Sequence, residues 1–449
     1  MVISIASIIP IISSLILFLF VMLIFSREKL DYAVYALLAA MIACLIVYFF
    51  FRNQTDPVIF IPEENPLIKF LSYVEFDAII FLISMQIIVA IAEENKLFQF
   101  LALKVLHLVG ANHRLFFYLI CTVSALSAAL ISDITIAIIF VPLVIRATRI
   151  LKIKTAPYIF GISFTVNIGS IYTPFSSAEN ILISSAKGFE LDTVWFLGNF
   201  SLFVFPVLLF TLVGMDLIFI RKIKPPEQLQ KTILLEIMSP KIVIVNKKQF
   251  ILNWIYFGLI IVGLIIVPQA YLVAGLGVAL ISILNRKQFA DSLKKVNWKL
   301  ISFLFATFLL IGTMQINGTF TFLNNFIEKV IPTNPLAAAI VVLISISILS
   351  GMLAQVPTAL VMIAVLQQLY AGAPGGIPNL VKIGFILGIN IGSNFLPQGA
   401  AVDLICLELA KKNKVEGFTY KTLLRNGSLI TLYHIFNSII FMILYYLIV

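Results

Sequence analysis
The chain has 449 residues, 61% of them hydrophobic and only 12% charged, with a formal net charge of +10. A mean hydropathy of +1.08 lies beyond the range of water-soluble globular domains, which excludes a soluble enzyme, a disordered chain, a coiled coil and a disulfide scaffold. Apolar runs of about 18 residues or more recur from end to end and imply an all-α polytopic membrane protein.

In chain order, the first run, 3–25, is too long for a signal-peptide core. It has neither a basic region before it nor a small-residue cleavage site after it, so it is predicted to be a retained span. Further runs at 30–51, 76–92, 155–186, 193–220, 250–267, 270–284, 298–316, 378–410 and 420–449 bring the prediction to ten transmembrane spans. Two other segments, 113–150 and 335–371, are apolar but interrupted, by Ser132-Asp133-Ile134-Thr135 and by Gln355-Val356-Pro357-Thr358. Each is either two further helices or a re-entrant helical hairpin, whose tip is tolerated at membrane depth only inside protein or beside a wet cavity. Mixed stretches at 95–108 and 319–331 are expected to lie along the membrane plane as amphipathic helices and lead into the hairpins.

Lys and Arg accumulate in cytoplasmic loops. With ten spans and two hairpins, all but Arg52, Lys69, Lys187, Lys329 and Lys382 of the 31 basic residues fall on one side, which sets both termini outside a cell membrane. The net charge is then an orientation signal carried by short loops; membrane lipid and a small ion are the expected partners, and nucleic acid is not. The longest loop, 221–249, contains Pro225-Pro226 and reads as a cytoplasmic linker between halves 1–220 and 250–449.

Asn167-Ile168-Gly169-Ser170 recurs as Asn390-Ile391-Gly392-Ser393, 223 positions later. At the same or a neighbouring offset Pro174 matches Pro397, Asn180 matches Asp403, Asp133 matches Gln355, and the run from Glu75 matches the run from Asn297. Each half holds five crossings and one hairpin, and an odd number of crossings turns the second half upside down. The prediction is an inverted five-span repeat, typical of secondary transporters whose sites lie where discontinuous helices meet near the midplane. The two hairpin tips and the two Asn-Ile-Gly-Ser segments are expected to converge.

Gly169 and Pro174 loosen the helix over 165–180, where Asn167, Ser170, Thr173, Ser176 and Ser177 offer oxygens to a small ion. Acidic residues at membrane depth cost about 2.5–3.5 kcal/mol each on insertion scales and mark ion or proton paths. Asp133, Glu179 and Asp403 qualify. The predicted binding set is Ser132, Asp133 and Thr135 from the first tip, Gln355 and Thr358 from the second, Asn167, Gly169, Ser170, Thr173, Glu179 and Asn180 from the first broken segment, and Asn390, Gly392, Ser393, Asn394 and Asp403 from the second. The structural alternative is helix joining by the polar residues and capping of broken ends by the acids. Glu75, Asp77, Glu93, Glu94, Asp216 and Glu408 lie near span ends, where they are expected to be solvated. His107, His113, His434, Cys44, Cys121 and Cys406 are scattered without ligand-like spacing. No Gly-rich phosphate loop and no nucleophile–base set is present, so an enzyme is not expected, nor any cofactor beyond a coupling sodium ion or proton. Neither broken segment contains Lys or Arg, so an anion would rely on helix N-termini, amides and co-bound cations, whereas a tip carboxylate favours a cation or proton carrier.

Four stretches carry a family resemblance: Phe76-Asp77-Ala78-Ile79-Ile80-Phe81-Leu82 with Glu93; Ser132-Asp133-Ile134-Thr135 with Val141-Pro142; Asn167 to Asn180; and Gly388-Ile389-Asn390-Ile391-Gly392-Ser393-Asn394 to Gly399-Ala400. Through them nearly the whole chain resembles the ion transporter superfamily, in its citrate-transporter-like group with arsenite permeases, the P protein of melanosomes and certain sodium/proton antiporters. The resemblance implies a scaffold domain, a transport domain carrying both hairpins, and elevator-type movement, often within a homodimer. In related sodium-coupled dicarboxylate transporters, Ser-Asn-Thr motifs at the tips hold sodium and substrate. Ser132 and Asp133 match the first two places, with Asp replacing Asn and Ile134 in the third. The Asp-Asn tips of the arsenite branch align with Ser132-Asp133 and Ala354-Gln355. A sodium site at Ser132, Asp133, Asn167 and Gly169 is thereby implied, in a secondary active transporter of a carboxylate or oxyanion. A sodium/proton antiporter with Asp133 as carrier, and a passive channel, are the alternatives.

Overall fold
The computed structural model describes residues 5–25, 31–51, 66–109, 112–244, 246–327 and 329–448. Arg27, Lys29 and Arg52, which enter the charge balance, and the outermost residues of the first and last runs lie outside the described residues. Among the described residues the regular structure is all helical. The first half comprises α1 (Ile5–Phe25), α2 (Tyr32–Phe51), α3 (Pro66–Leu71), α4 (Phe76–Glu94), α5 (Leu97–Leu108), α6 (His113–Ala128), α7 (Asp133–Ile150), α8 (Ala156–Gly169), α9 (Ala178–Ser185) and α10 (Thr193–Met215). α11 (Gln228–Ile237) follows. The second half comprises α12 (Lys247–Ile266), α13 (Ala270–Leu284), α14 (Arg286–Lys294), α15 (Trp298–Ile316), α16 (Thr319–Ile327), α17 (Pro335–Leu353), α18 (Gln355–Leu369), α19 (Asn379–Gly392), α20 (Ala401–Lys412) and α21 (Tyr420–Ile448).

Eight of these, α1, α2, α4, α10, α12, α15, α17 and α21, are long and apolar enough to cross a bilayer, so the chain is a polytopic all-α membrane protein. Differences from the predicted runs have local causes. The runs 155–186 and 378–410 stop at Gly169 and Gly392 and restart as α9 and α20. The segment 113–150 turns at 129–132, and 335–371 turns at the single residue Ala354. α17 has 19 residues, enough to cross by itself, where half of a hairpin is predicted. α13 has only 15, where a full span is predicted. The amphipathic stretches form α5 and α16.

The same local devices recur 222 or 223 positions apart. Asn112 and Asn334 cap α6 and α17, each side chain accepting from two first-turn amides. Asn95 and Asn317 end α4 and α15, and the residues after them, Lys96 and Gly318, both have positive φ, 57° and 79°. Both asparagines are pinned outward: Asn317 Nδ2 donates to Pro10 O at 3.0 Å and Ser14 Oγ at 2.8 Å in α1, and Asn95 Nδ2 donates to Gln288 Oε1 at 3.1 Å in α14. Packing follows the same pairing: α2 lies along α15 and α13 along α4, α6 packs on α8 and α17 on α19, and α7 meets α20 as α18 meets α9. Asp216, expected to be solvated, is instead buried and paired with Arg114 at 2.5 Å and Arg221 at 3.4 Å, because α10 continues through a π-helical turn that carries it back under α6.

Backbone-to-backbone contact fixes α6 against α8 and α17 against α19. A Cβ on Gly169 would lie 2.0 Å from Ala125 O, and one on Gly392 would lie 2.3 Å from Ser347 Cα. Small residues at helix crossings permit this approach, and the dispersion energy it recovers replaces a hydrophobic force that lipid does not supply. Gly392→Ala should therefore destabilise the fold by about 1–3 kcal/mol, the range for overpacking. Gly372→Ala, in open space, should not. Melting temperatures of the two detergent-purified variants measure this directly.

Candidate functional site
α8 ends in a turn of 3₁₀ helix at Ser170–Tyr172, is extended at Thr173 (φ −139°, ψ 154°), turns at Pro174, and restarts at α9 with Ser177 accepting from the Asn180 amide. α19 ends in the same way at Ser393–Phe395, Leu396 is extended (φ −123°, ψ 145°), and Pro397 precedes α20. Proline removes a donor and bars continuation of the helix, so the carbonyls released at each break must be met by side chains. Asn180 Nδ2 donates to Ser170 O at 2.7 Å, and Ser176 Oγ to Ser170 O at 2.5 Å and Thr173 O at 2.8 Å.

The two breaks are tied to each other. Ser170 Oγ donates to Asn390 Oδ1 at 3.0 Å, Asn390 Nδ2 to Asn180 Oδ1 at 2.9 Å, and Asn167 Nδ2 to Asn394 Oδ1 at 2.6 Å. Ser163 Oγ donates to Asp403 Oδ1. The tips join the same region: Thr173 Oγ1 donates to Ala129 O beside the first, and Ser350 Oγ to Ile389 O before the second. Asp133 lies within electrostatic reach of Glu179 and Asp403, and all three are buried. Asp133 Oδ1 accepts from the Ile134 amide at 2.8 Å and from Ser132 Oγ at 3.3 Å. At the second tip Ala354 sits at φ 72°, ψ 161°, a conformation natural to glycine that costs about 1–3 kcal/mol in other residues. Buried polar atoms without a protein partner gather here too: Asn167 Oδ1, Asn394 Nδ2, Gln355 Nε2, Asp403 Oδ2 and Ser347 Oγ. Of the residues implied for sodium, Ser132 and Asp133 share the first tip, Asn167 presents its unpartnered oxygen, and Gly169 presses on Ala125. Among the described residues no three His, Cys, Asp or Glu side chains form a metal-ligand group.

A cavity of about 510 Å³ opens beside the first tip. Its polar lining is Gln86, Glu93, Ser132, Thr135, Ser176, Ser177, Lys295 and Asn297. Three helices begin on its wall: α7 after Ser132, α9 after Ser177 and α15 after Asn297, whose side chain accepts from the Leu300 amide. Asp133 and Glu179 stand behind that wall and do not line it. A second cavity, about 1050 Å³, touches both tips through Ile134 and Ala354 and carries Gln398, Glu408, Lys411 and Lys414. A third, about 560 Å³, holds Glu75, Lys187, Gln315 and Gln367. Leu300 lines the first cavity and Phe308, Ile311 and Gln315 the third, so along α15 the two are about 12 Å apart at their nearest. Glu75, Phe308, Ile311 and Gln315 occupy the places that Asn297, Gln86, Val89 and Glu93 occupy in the first cavity, 222 positions apart. The third cavity meets α18 at Leu360 and Gln367 and does not reach Gln355 or Thr358.

Ser132, Thr135, Ser176 and Ser177 thus face space, whereas Ser170, Asn180 and Asn390 are engaged with one another in the wall. Glu75, Glu93 and Glu408, expected to be solvated span-end residues, each line a cavity. Glu93 belonged to the Phe76–Leu82 stretch that carried the resemblance, whereas Lys295 and Gln86 were not singled out, and only the match of the Glu75 run with the Asn297 run pointed to this end of α15.

Residues 18–385 match the citrate transporter family. A 46 kDa membrane protein of Mycobacterium leprae is 22% identical over 350 residues, covering 75% of this chain and 79% of that protein. The arsenical pump membrane protein of Escherichia coli is 24% identical over 362 residues, covering 78% and 82%. Among solved structures, the YdaH transporter of Alcanivorax borkumensis shares the fold with a TM-score of 0.59 at 10% identity, covering 94% of this chain and 97% of that one. This chain is a membrane transporter, not an enzyme, and belongs to the citrate transporter family.

Proposed function
We propose that this protein is an ion-coupled secondary transporter that carries a small anion, a carboxylate or an oxyanion, by alternating access, with Asp133, Glu179 and Asp403 holding the coupling proton or sodium. The hydroxyl-lined cavity on which α7, α9 and α15 begin carries this reading. One amide at each of these starts is already capped, by Asp133, Ser177 and Asn297, and what the helix N-termini offer is the positive end of the dipole with the first-turn amides the caps leave over, worth about 0.3–1 kcal/mol toward an anion. The carboxylates behind the wall oppose a multiply charged anion until a proton or cation neutralises them. That opposition supplies coupling: the anion binds well only after the driving ion. Asn167 Oδ1 and Asp403 Oδ2, buried without partners, offer oxygens to that ion.

Recurrence of caps, junctions and breaks at offsets of 222 or 223 supports reading 1–220 and 250–449 as inverted halves joined by the linker 221–249. The first cavity reaches a tip and its counterpart at the far end of α15 does not, which favours a state open to one side. In the elevator cycle this suggests, the hairpins and broken helices travel as one body against α1, α2, α4, α12, α13 and α15. The ring of Ser170, Asn180 and Asn390 holds that body together. Asn390→Ala would leave buried partners unpaired at about 1–3 kcal/mol, and is expected to lower both melting temperature and maximal transport rate in reconstituted vesicles.

The cluster of three buried carboxylates without a basic residue among them favours a second reading, a sodium/proton antiporter with Asp133 as carrier. Internal pH in proteoliposomes after an external sodium or lithium pulse separates the two, with wild type and Asp133→Asn side by side. The anion reading expects no cation-evoked proton flux from wild type. It expects uptake of a labelled carboxylate or oxyanion from a panel to lose its dependence on the driving ion in Asp133→Asn. A saturable proton flux that disappears in the variant establishes the antiporter instead.

A further inference from the structure
We infer that Lys295 is the anion-recognising side chain of the cavity beside the first tip, held in reserve by Glu94 until substrate arrives; this rests on the anion reading above. Neither broken segment carries a basic residue, so the positive charge has to come from elsewhere. It comes from the connector between α14 and α15: among the described residues lining the cavity, Lys295 is the basic one. Thr135 lines the same cavity with a hydroxyl that can orient an anion but not neutralise it, whereas Ser132 Oγ donates to Asp133 and Ser176 Oγ to the Ser170 and Thr173 carbonyls. The ammonium has three donors, and the structure engages it with Glu94 Oε1 at 3.2 Å.

That pair is made for exchange. The Lys295 side chain is 41% exposed and Glu94 17%, so solvent weakens the bond and either member can leave at little loss. An anion between Lys295 and the N-terminus of α7 would gain a charge-assisted bond to the ammonium in place of the one Glu94 gives up. The lysine position itself is not repeated: at the offset of 222 that relates the first cavity to its counterpart, Lys295 corresponds to Tyr73, and the counterpart takes its basic residue, Lys187, from a different place in the chain. Glu93, which lines the cavity with Lys295, disfavours approach by a highly charged anion. A singly or doubly charged carboxylate or oxyanion is the class that fits.

The test is ligand-induced thermal stabilisation of the purified full-length protein in detergent with sodium present. Acetate, succinate, citrate, phosphate and arsenate are titrated against wild type, Lys295→Met, Lys295→Arg and Glu94→Gln. The expected result is that the anion binding wild type most tightly binds Lys295→Met at least about tenfold more weakly, equivalent to about 1.4 kcal/mol. Lys295→Arg should retain most of the affinity, and Glu94→Gln should match or exceed wild type because the lysine is released. A merely structural rim pair would lower the ligand-free melting temperature equally in Lys295→Met and Glu94→Gln and leave the affinity unchanged, which overturns the role of Lys295 alone. Failure of every anion to stabilise wild type overturns the anion reading, and the role of Lys295 with it.

Discussion
Two helices stop inside an apolar fold, and every backbone carbonyl they release has to find a donor where no water is at hand. A membrane protein can break a helix only where protein or a wet cavity meets the freed groups. Here amides and hydroxyls meet them: Asn180 and Ser176 serve the carbonyls of Ser170 and Thr173, and Ser393 Oγ serves Asn390 O. Because Asn180 also accepts from Asn390 across the two halves, satisfying one break requires the other to be in place. The glycines that let α8 sit on α6 and α19 on α17 follow from the same demand, since the breaks must be brought close before their side chains can reach.

Electrostatics is layered on that frame. Hydroxyls and helix starts face the first cavity, while Asp133, Glu179 and Asp403 sit one layer deeper. An ionised carboxylate without a partner at that depth is costly, and three within mutual reach more so. The arrangement persists because the ring of neutral amides and hydroxyls around it is well satisfied, while a few atoms, Asp403 Oδ2 and Asn167 Oδ1 among them, are left open. Asp216, by contrast, meets two arginines and has no oxygen to spare for an ion.

The junctions after α4 and α15 are built alike. Asn95 and Asn317 anchor each junction to a neighbouring helix, and the left-handed residue that follows redirects the chain into α5 or α16. The two junctions stand at equivalent places, 222 positions apart. The first cavity reaches the first tip, and its counterpart toward the other end of α15 does not reach the second.

Much of this was legible in the residues. Apolar run length marked the helices, since burial against lipid is a property of a stretch by itself, and the repeated Asn-Ile-Gly-Ser with its following proline marked both breaks, because loss of a helical donor is local. The three buried acids stood out because charge is rare in such runs. Partners were not legible. That Asn390 would close a ring with Ser170 and Asn180, that Asp216 would be paired rather than solvated, and that Lys295 from an unremarkable loop would stand at the cavity beside Ser132 are relations across space. Solvation preference acts on each residue separately and is written along the chain. Hydrogen bonding, pairing and cavity lining depend on which distant segments the packed helices bring within about 3 Å of each other, and only the tertiary structure decides that.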